Sequence, residues 1–301
     1  MMKAIRSHQA EFIVTEGYEM KQHSSLETGG KAEYYAEPRD EEEVLSVLEL
    51  AYRRSLPITI IGGGTHILVS DDGVEGIVIS TESMKGISIR GDMLVSAPGE
   101  MLENIINMAI EHRLSGLEEI AGIPGTIAGA ISVNANANGR AISDLFLYSD
   151  VLTPDGFRHR YPHYKDAFGP QSSVIGGSGI VVSVALSLIP SINTADARMR
   201  KEHFVETMFI PPCRRFSGEI FRNPAGMRAD EILQAIGATG RSGLRAEFSE
   251  YQPNAILTYS GCTSDEIYTL ILMAERKAEE KLGIKLERSL TLIGSFRDLS
   301  R

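Results

Sequence analysis

The pattern of apolar and polar positions divides the chain into three α/β stretches. In the first, Ala32-Glu33-Tyr34-Tyr35-Ala36 alternates and reads as a strand ending at Pro38. Asp40 then stands as a helix N-cap with Glu43 three residues on, and Val44, Leu45, Val47, Leu48 and Ala51 give that helix one apolar stripe. Leu56-Pro57-Ile58-Thr59-Ile60-Ile61 is apolar and β-branched, the signature of a buried strand, and Gly76-Ile77-Val78-Ile79 closes the stretch with another. Residues 1 to about 15 are expected to form a short helix.

The second stretch opens with two short alternating strands, Ile87-Ser88-Ile89 and Met93-Leu94-Val95-Ser96-Ala97, and residues 102–110 follow as an amphipathic helix. Further on, residues 147–152 and 157–161 flank Pro154-Asp155-Gly156, which predicts a hairpin with Asp-Gly as its turn signal. Residues 180–188 form one more apolar strand ending at Pro190. The character changes near residue 193: residues 194–204 read as a charged helix, and Pro211-Pro212 interrupts the chain. The third stretch ends in a helix over residues 264–282, started by a capping box of Thr263 and Glu266. These shifts predict boundaries at 1–83, 84–192 and 193–301.

Composition narrows the function classes. The chain has 301 residues, 43% of them hydrophobic and 23% charged, enough apolar sequence to bury a full core. Its net charge of −10 excludes a general nucleic-acid binder, which needs a basic face for phosphates. No apolar run approaches the length of a membrane span. Cys213 and Cys262 lie far apart without metal-spaced partners, and the seven histidines form no ligand cluster, so no metal is expected. With no signal-peptide core among the first residues, the expectation is a reduced, cytoplasmic protein.

Two glycine-rich loops carry the candidate chemistry. Gly62-Gly63-Gly64-Thr65-His66 follows the strand at 57–61, and Gly122-Ile123-Pro124-Gly125-Thr126-Ile127-Ala128-Gly129-Ala130 follows the strand-like run at 116–121. Residues without a Cβ let backbone N–H groups approach an anion, and consecutive N–H groups make a concave anion site. Two such loops about sixty residues apart suggest one elongated, phosphate-bearing ligand.

Around these loops the chain resembles the UDP-N-acetylenolpyruvoylglucosamine reductase family. Ser24-Ser25-Leu26-Glu27-Thr28-Gly29-Gly30-Lys31-Ala32 resembles the family's opening motif, residues 62–72 its Gly-x-Gly-Ser-Asn-Leu-Leu-Val-Ser-Asp loop, and residues 121–139 its Ala-Gly-Ile-Pro-Gly-Thr stretch. No insertion is visible after Tyr164, as in the family's shorter branch. The resemblance implies an α+β fold: a vanillyl-alcohol-oxidase or PCMH-type FAD-binding domain of two α/β subdomains, followed by a C-terminal substrate domain. It implies FAD, with one phosphate nest from Gly62, Gly63, Gly64, Thr65 and His66. Gly122, Pro124, Gly125, Thr126, Gly129, Ala130 and Asn134 would form the other nest and line the ring, and Val181 would touch the flavin through its backbone. His66 stands where the family usually has Asn. The implied partners are a small-molecule substrate and, as a candidate electron donor, NADPH; no nucleic acid and no membrane is expected.

The chain departs from the family where the family's chemistry resides. Tyr164-Lys165-Asp166-Ala167 replaces Tyr-Arg-x-Ser, Gly218-Glu219-Ile220-Phe221-Arg222-Asn223-Pro224 replaces Gly-Ser-x-Phe-x-x-Pro, and Leu286-Glu287-Arg288-Ser289-Leu290 replaces Leu-Glu-Pro-Glu-Val. Lysine keeps the charge of arginine but not its bidentate grip. A carboxylate at 219 would repel an anionic enolpyruvyl group unless desolvation neutralised it. The resulting expectation is an FAD oxidoreductase for another small substrate, with Glu219 as acid/base, set by Ser217 on the same strand face, and Lys165 as the anchor for a carboxylate or phosphate. A divergent UDP-N-acetylmuramate dehydrogenase and a non-catalytic flavin-binding or regulatory homologue remain the alternatives. For Glu219, the competing reading is a salt bridge to Arg214, Arg215 or Arg222.

Overall fold

The structure is a computed structural model that describes residues 14–164, 166–191, 193–207, 215–224, 226–240 and 243–297. In chain order its main elements are β1 (Val14–Glu19), β2 (Lys31–Ala36), α1 (Glu41–Arg54), β3 (Ile58–Ile61), β4 (Ile67–Val69), β5 (Val74–Ser80), β6 (Ile87–Arg90), β7 (Met93–Ser96), α2 (Leu102–Glu111), α3 (Ile127–Ser132), β8 (Phe146–Leu152), β9 (Arg158–Pro162), β10 (Ile180–Ser187), α4 (Thr194–Thr207), α5 (Ala229–Ala235), β11 (Ala246–Phe248), β12 (Ile256–Thr258), α6 (Ser264–Leu282) and β13 (Thr291–Ile293). The helix expected over residues 1 to 15 falls mostly outside the described residues; Val14 and Thr15 open strand β1. No described helix is long and apolar enough to cross a membrane.

Contacts divide the chain into two units. The first contains Tyr35–Gly63 and Ile77–Met208; the second contains Glu16–Tyr34, Gly64–Gly76 and Phe209–Arg301. The chain therefore crosses from one unit to the other inside the first glycine loop, between Gly63 and Gly64.

In the first unit, Asp40 caps α1 by accepting the Glu43 N–H at 2.9 Å, while the Glu43 carboxylate reaches back to the Arg39 N–H. Val44, Val47, Leu48 and Ala51 form its buried stripe. Strands β3 and β5 pair in parallel, Ile58 opposite Ile77. A five-stranded antiparallel sheet runs β9-β8-β10-β7-β6, and its apolar face meets Leu102, Ile105, Ile106, Ile127 and Ile131 from α2 and α3. The β8–β9 hairpin sets Asp150 opposite Arg160. Asp150 accepts from Arg160 Nε and Arg158 Nη2, both at 2.8 Å, and from Ser183 Oγ at 3.1 Å.

Those donors, Arg160 first, hold the Asp150 carboxyl well below the usual carboxylate range. A depressed folded-state pKa adds stability that is present above the unfolded pKa of about 3.9 and lost as pH falls through the lower folded value. Asp150→Asn is therefore expected to lower the thermal midpoint at pH 7. The gap from the parent should narrow below about pH 4, where the unfolded carboxyl also binds its proton. An unchanged midpoint at pH 7 would show that the cluster contributes nothing.

In the second unit, β13 pairs in parallel with β4, Thr291 opposite Ile67 and Ile293 opposite Val69. Strands β11 and β12 pair antiparallel. Helix α6 begins with the reciprocal capping box of Thr263 and Glu266 and ends at Gly283 in the left-handed region. Its apolar side joins Leu26, Leu68, Phe221, Leu233 and Phe248 in a second core. The early segments 16–34 and 64–76 thus group with the C-terminal residues, because the partner of β4 lies more than two hundred residues downstream.

Candidate functional site

Within the first unit the two glycine loops meet. A Cβ on Gly62 would lie 2.7 Å from Thr126 Oγ1, and one on Gly63 would lie 3.5 Å from Thr126 Cγ2 and 3.6 Å from the Gly125 Cα. Thr126 is 1% exposed and caps α3, its hydroxyl accepting the Gly129 N–H at 3.4 Å. The second loop follows a 3₁₀ turn at Glu118–Ile120 rather than the strand its sequence suggests. Leu117 precedes the turn with αR backbone, and Glu118 folds back locally to accept the Gly116 N–H. Gly125 has φ +118°, a conformation that only glycine adopts readily.

The loop carbonyls are used by the protein. Gly125 O accepts from the Leu102 N–H and Thr126 O from the Ala130 N–H, and the later loop amides of Ile127 and Ala128 donate to Glu100 O and Pro98 O. The N–H side differs: among the described residues, the amides of Gly62, Gly63, Gly125 and Thr126 donate to no protein acceptor. Free N–H groups on two loops in contact, where a Gly62 Cβ would crowd Thr126 Oγ1, suit a diphosphate.

The other expected positions of this unit fall as follows. Gly122 has φ +90°, Pro124 is exposed, Gly129 is exposed on α3, and Ala130 is buried there. Asn134 is buried at φ +47°; its Nδ2 donates to Gly169 O at 3.0 Å and its Oδ1 accepts the Ser143 N–H at 3.4 Å, so the side chain ties loops together. Val181 lies opposite Val151 in β10, next to a register shift. Strand β7 pairs with β10 only from Val184 onward, which leaves a backbone edge at residues 180–183 on that side. Lys165 lies outside the described residues.

The second unit holds the rest of the first loop. Gly64 is buried with φ +64°, and a Cβ there would lie 1.7 Å from His23 O. Its own carbonyl accepts the Ser25 N–H at 3.1 Å. Thr65 is half-buried. His66 Nε2 lies 3.0 Å from Ser289 Oγ, and its other ring nitrogen, Nδ1, lies 3.0 Å from where a Gly218 Cβ would be. Burial pushes the His66 pKa down, against a smaller upward effect of a hydrogen bond to the Ser289 backbone. The imidazole is therefore neutral at pH 7.

Glu219 is exposed; nearby, the hydrogen bond to Asp230 raises the Arg228 pKa, with Glu219 the smallest contributor. Neither described arginine expected to pair with it does so: Arg215 pairs with Glu27, and Arg222 lies 3.9 Å from Glu287; Arg214 is outside the described residues. Residues 217 and 219 do not share a regular strand, since only isolated bridges at Phe216 and Phe221 flank them. The buried Ser217 hydroxyl accepts the Ile256 N–H and donates to Gly218 O, both at 2.8 Å, so it does not set the Glu219 carboxyl. Asn254 holds the strip instead, accepting the Phe221 N–H and donating to Phe221 O. Sequence reasoning missed Ser289 as a partner of His66. Its only signal was the departure of residues 286–290 from the family pattern.

The comparisons with known proteins agree with this geometry. A family model described as an FAD binding domain matches residues 32–161, and one described as the C-terminal domain of UDP-N-acetylenolpyruvoylglucosamine reductase matches residues 211–293. The reductase of that name from Synechococcus sp. is 33% identical over 279 residues, 91% of this chain and 89% of its own. That from Moorella thermoacetica is 31% identical over 280 residues, 91% of each chain. The crystal structure of the reductase from Thermus caldophilus has a TM-score of 0.78 at 25% identity and covers 93% of this chain and 98% of its own. The free N–H groups and the Cβ-free cradle fit the phosphates of FAD. The chain belongs to the UDP-N-acetylenolpyruvoylglucosamine reductase family and is an FAD-dependent oxidoreductase with a PCMH-type flavin domain.

Proposed function

We propose that this oxidoreductase acts on a small substrate other than a UDP-sugar enolpyruvate, with NADPH as a candidate electron donor. The observation that carries the reading is Glu219. In the resemblance of residues 218–224 it stands where the family has its proton-donating serine, and an exposed glutamate carries a negative charge at neutral pH. Such a charge disfavours an anionic enolpyruvyl group through like-charge repulsion. Lys165 is our candidate anchor for a carboxylate or phosphate on the substrate, and the three-part division at 83 and 192 remains our reading of the chain's modules.

FAD, when bound, supplies hydride transfer. The protein's part is to fix the diphosphate on the N–H groups of Gly62, Gly63, Gly125 and Thr126, and to present the backbone edge at Val181 to the ring. Gly64, Thr65, His66, Gly122, Pro124, Gly129, Ala130 and Asn134 complete the proposed cofactor site. The relatives' shared name supports a second reading, a divergent reductase of UDP-N-acetylenolpyruvoylglucosamine.

Steady-state NADPH oxidation with UDP-N-acetylglucosamine enolpyruvate separates the two. Losing a positioned general acid costs about 10²–10⁴-fold, so turnover well below about 10 per second is expected. An ordinary enzymatic rate would restore the second reading.

A further inference from the structure

We propose that Arg200, on helix α4, is a positioning residue for FAD. Acting through the buried Glu118, it holds the second glycine loop in the arrangement whose free amides take the diphosphate. The proposal rests on the reading that this loop binds the diphosphate, and it holds for any substrate.

Helix α4 spans Thr194–Thr207 and buries one residue, Ala197. A helix with so little apolar burial is held in place by polar contacts rather than by a hydrophobic stripe. Its entry is pinned by backbone: Ile189 and Pro190 pair antiparallel with Ser115 and Leu114, and the Ser191 N–H donates to Arg113 O at 2.8 Å. Two adjacent basic side chains then reach different elements, because consecutive helical residues point about 100° apart.

Arg200 Nη2 donates to Ser115 Oγ at 3.0 Å and to Glu118 Oε1 at 3.1 Å. Glu118 is 1% exposed, and its other oxygen accepts the Gly116 N–H at 2.6 Å. Taking one partner from a buried ion pair is costly, because the remaining charge is left uncompensated. The 3₁₀ turn that Glu118 opens leads directly into the loop. The Ala121 N–H donates to Glu118 O at 3.1 Å, and the Ile123 N–H donates to Ile120 O at 3.3 Å. Gly125, with its free amide, follows Pro124.

Lys201 supports the same loop from the other side. Its Nζ donates to Asn107 Oδ1 at 2.7 Å and lies 3.3 Å from Glu103 Oε1, both on α2. The first amide of α2, that of Leu102, donates to Gly125 O at 3.0 Å. Arg200 thus secures the entry to the loop, and Lys201 secures the helix that holds Gly125.

The free amides contribute no hydrogen bond that would order the loop before FAD arrives, so its order depends on these flanking contacts. If only a fraction of molecules holds the competent arrangement, apparent affinity falls by that fraction. FAD can still select that arrangement, so the bound state is restored at saturation and affinity alone is lost. Breaking a hydrogen bond between charged groups corresponds to about tenfold or more. R200A is therefore expected to weaken FAD binding about tenfold. K201A should lose less, since Asn107 is neutral and Glu103 is well exposed.

The test compares the parent with R200A, R200K, E118Q, K201A and the R200A/E118Q double variant. FAD affinity is measured by equilibrium dialysis of the full-length protein. Hydrogen exchange of residues 116–123 is followed before and after FAD saturation. R200A and E118Q should each weaken FAD about tenfold, and the double variant should be little worse than either, because the two act as one unit. R200K, which keeps the charge, should recover part of the loss. Exchange at residues 120, 121 and 123 should rise in R200A and return to the parent's rate once FAD saturates.

Parent-like FAD affinity in R200A would overturn the proposal, even with a lower thermal midpoint, which would mark the residue as merely structural. So would weakened affinity with unchanged exchange at 116–123, fully additive losses in the double variant, or a greater loss in K201A than in R200A. Should R200A fail to fold, E118Q decides: parent-like affinity there removes the proposal. The underlying reading fails separately. A Gly63→Asp protein that keeps FAD would remove the loop as the diphosphate site. Loss of FAD in Gly63→Asp beside parent-like binding in R200A would remove the role of Arg200 alone.

Discussion

Gly64→Ala is expected to destabilise the protein by about 4 kcal/mol, in the severe tail of single substitutions. Two costs add. The first is backbone conformation: at φ +64° an L-residue loses about 1–2 kcal/mol relative to glycine. The second is overlap, because the new Cβ would sit 1.7 Å from the His23 carbonyl oxygen. That oxygen is backbone, and the Ser25 N–H bond to Gly64 O holds the same two segments together, so neither side retreats cheaply. Gly91→Ala isolates the second cost. Gly91 has φ +65° but open space around its Cβ position, so it should lose only the conformational part. Denaturant unfolding of both variants checks the account. Equal losses would mean that the loop relaxes freely and that the close approach of residues 23 and 64 carries no energy.

Gly63→Asp should have the opposite profile: a folded protein without cofactor. A Cβ at Gly63 meets only ordinary contacts, the nearest being Thr126 Cγ2 at 3.5 Å. The fold therefore accommodates the side chain. Its carboxylate, however, enters the space over the free N–H groups of Gly62, Gly63, Gly125 and Thr126, where the FAD diphosphate is proposed to sit. Like charges so placed cost several kcal/mol, and about 4 kcal/mol corresponds to a loss of about 10³-fold in FAD affinity. Gly63→Ala should retain most of the affinity. The measurements are flavin absorbance after purification and an FAD titration of the apoprotein. A yellow Gly63→Asp protein with parent-like affinity would remove the loop from the cofactor site.

Much of the fold was legible because the signals were local. Asp40 with Glu43, Thr263 with Glu266, and Asp155-Gly156 each act across a few residues, and each element appears where its signal stands. The glycine loops were legible as tight loops for the same reason, Gly125 supplying the backbone freedom that φ +118° requires. Local reading failed where partners are distant or where local chemistry competes. It assigned a strand before the second loop, but Glu118 folds back onto the Gly116 N–H and the chain takes a 3₁₀ turn. It expected Ser217 to serve Glu219, but the hydroxyl is committed to Ile256, thirty-nine residues away. The pairing of β4 with β13 and the contact of His66 with Ser289 have no local signature, because a parallel ladder between the two ends of a chain is set by tertiary packing.

The central claim, a family flavoenzyme turned to a different substrate, is tested most directly in one half-reaction. The FAD-loaded protein is reduced anaerobically with dithionite and mixed with UDP-N-acetylglucosamine enolpyruvate while flavin absorbance is followed. The account predicts that the flavin stays reduced on the timescale of turnover. Reoxidation at about 10 per second or faster, the ordinary range of enzyme turnover, would contradict it.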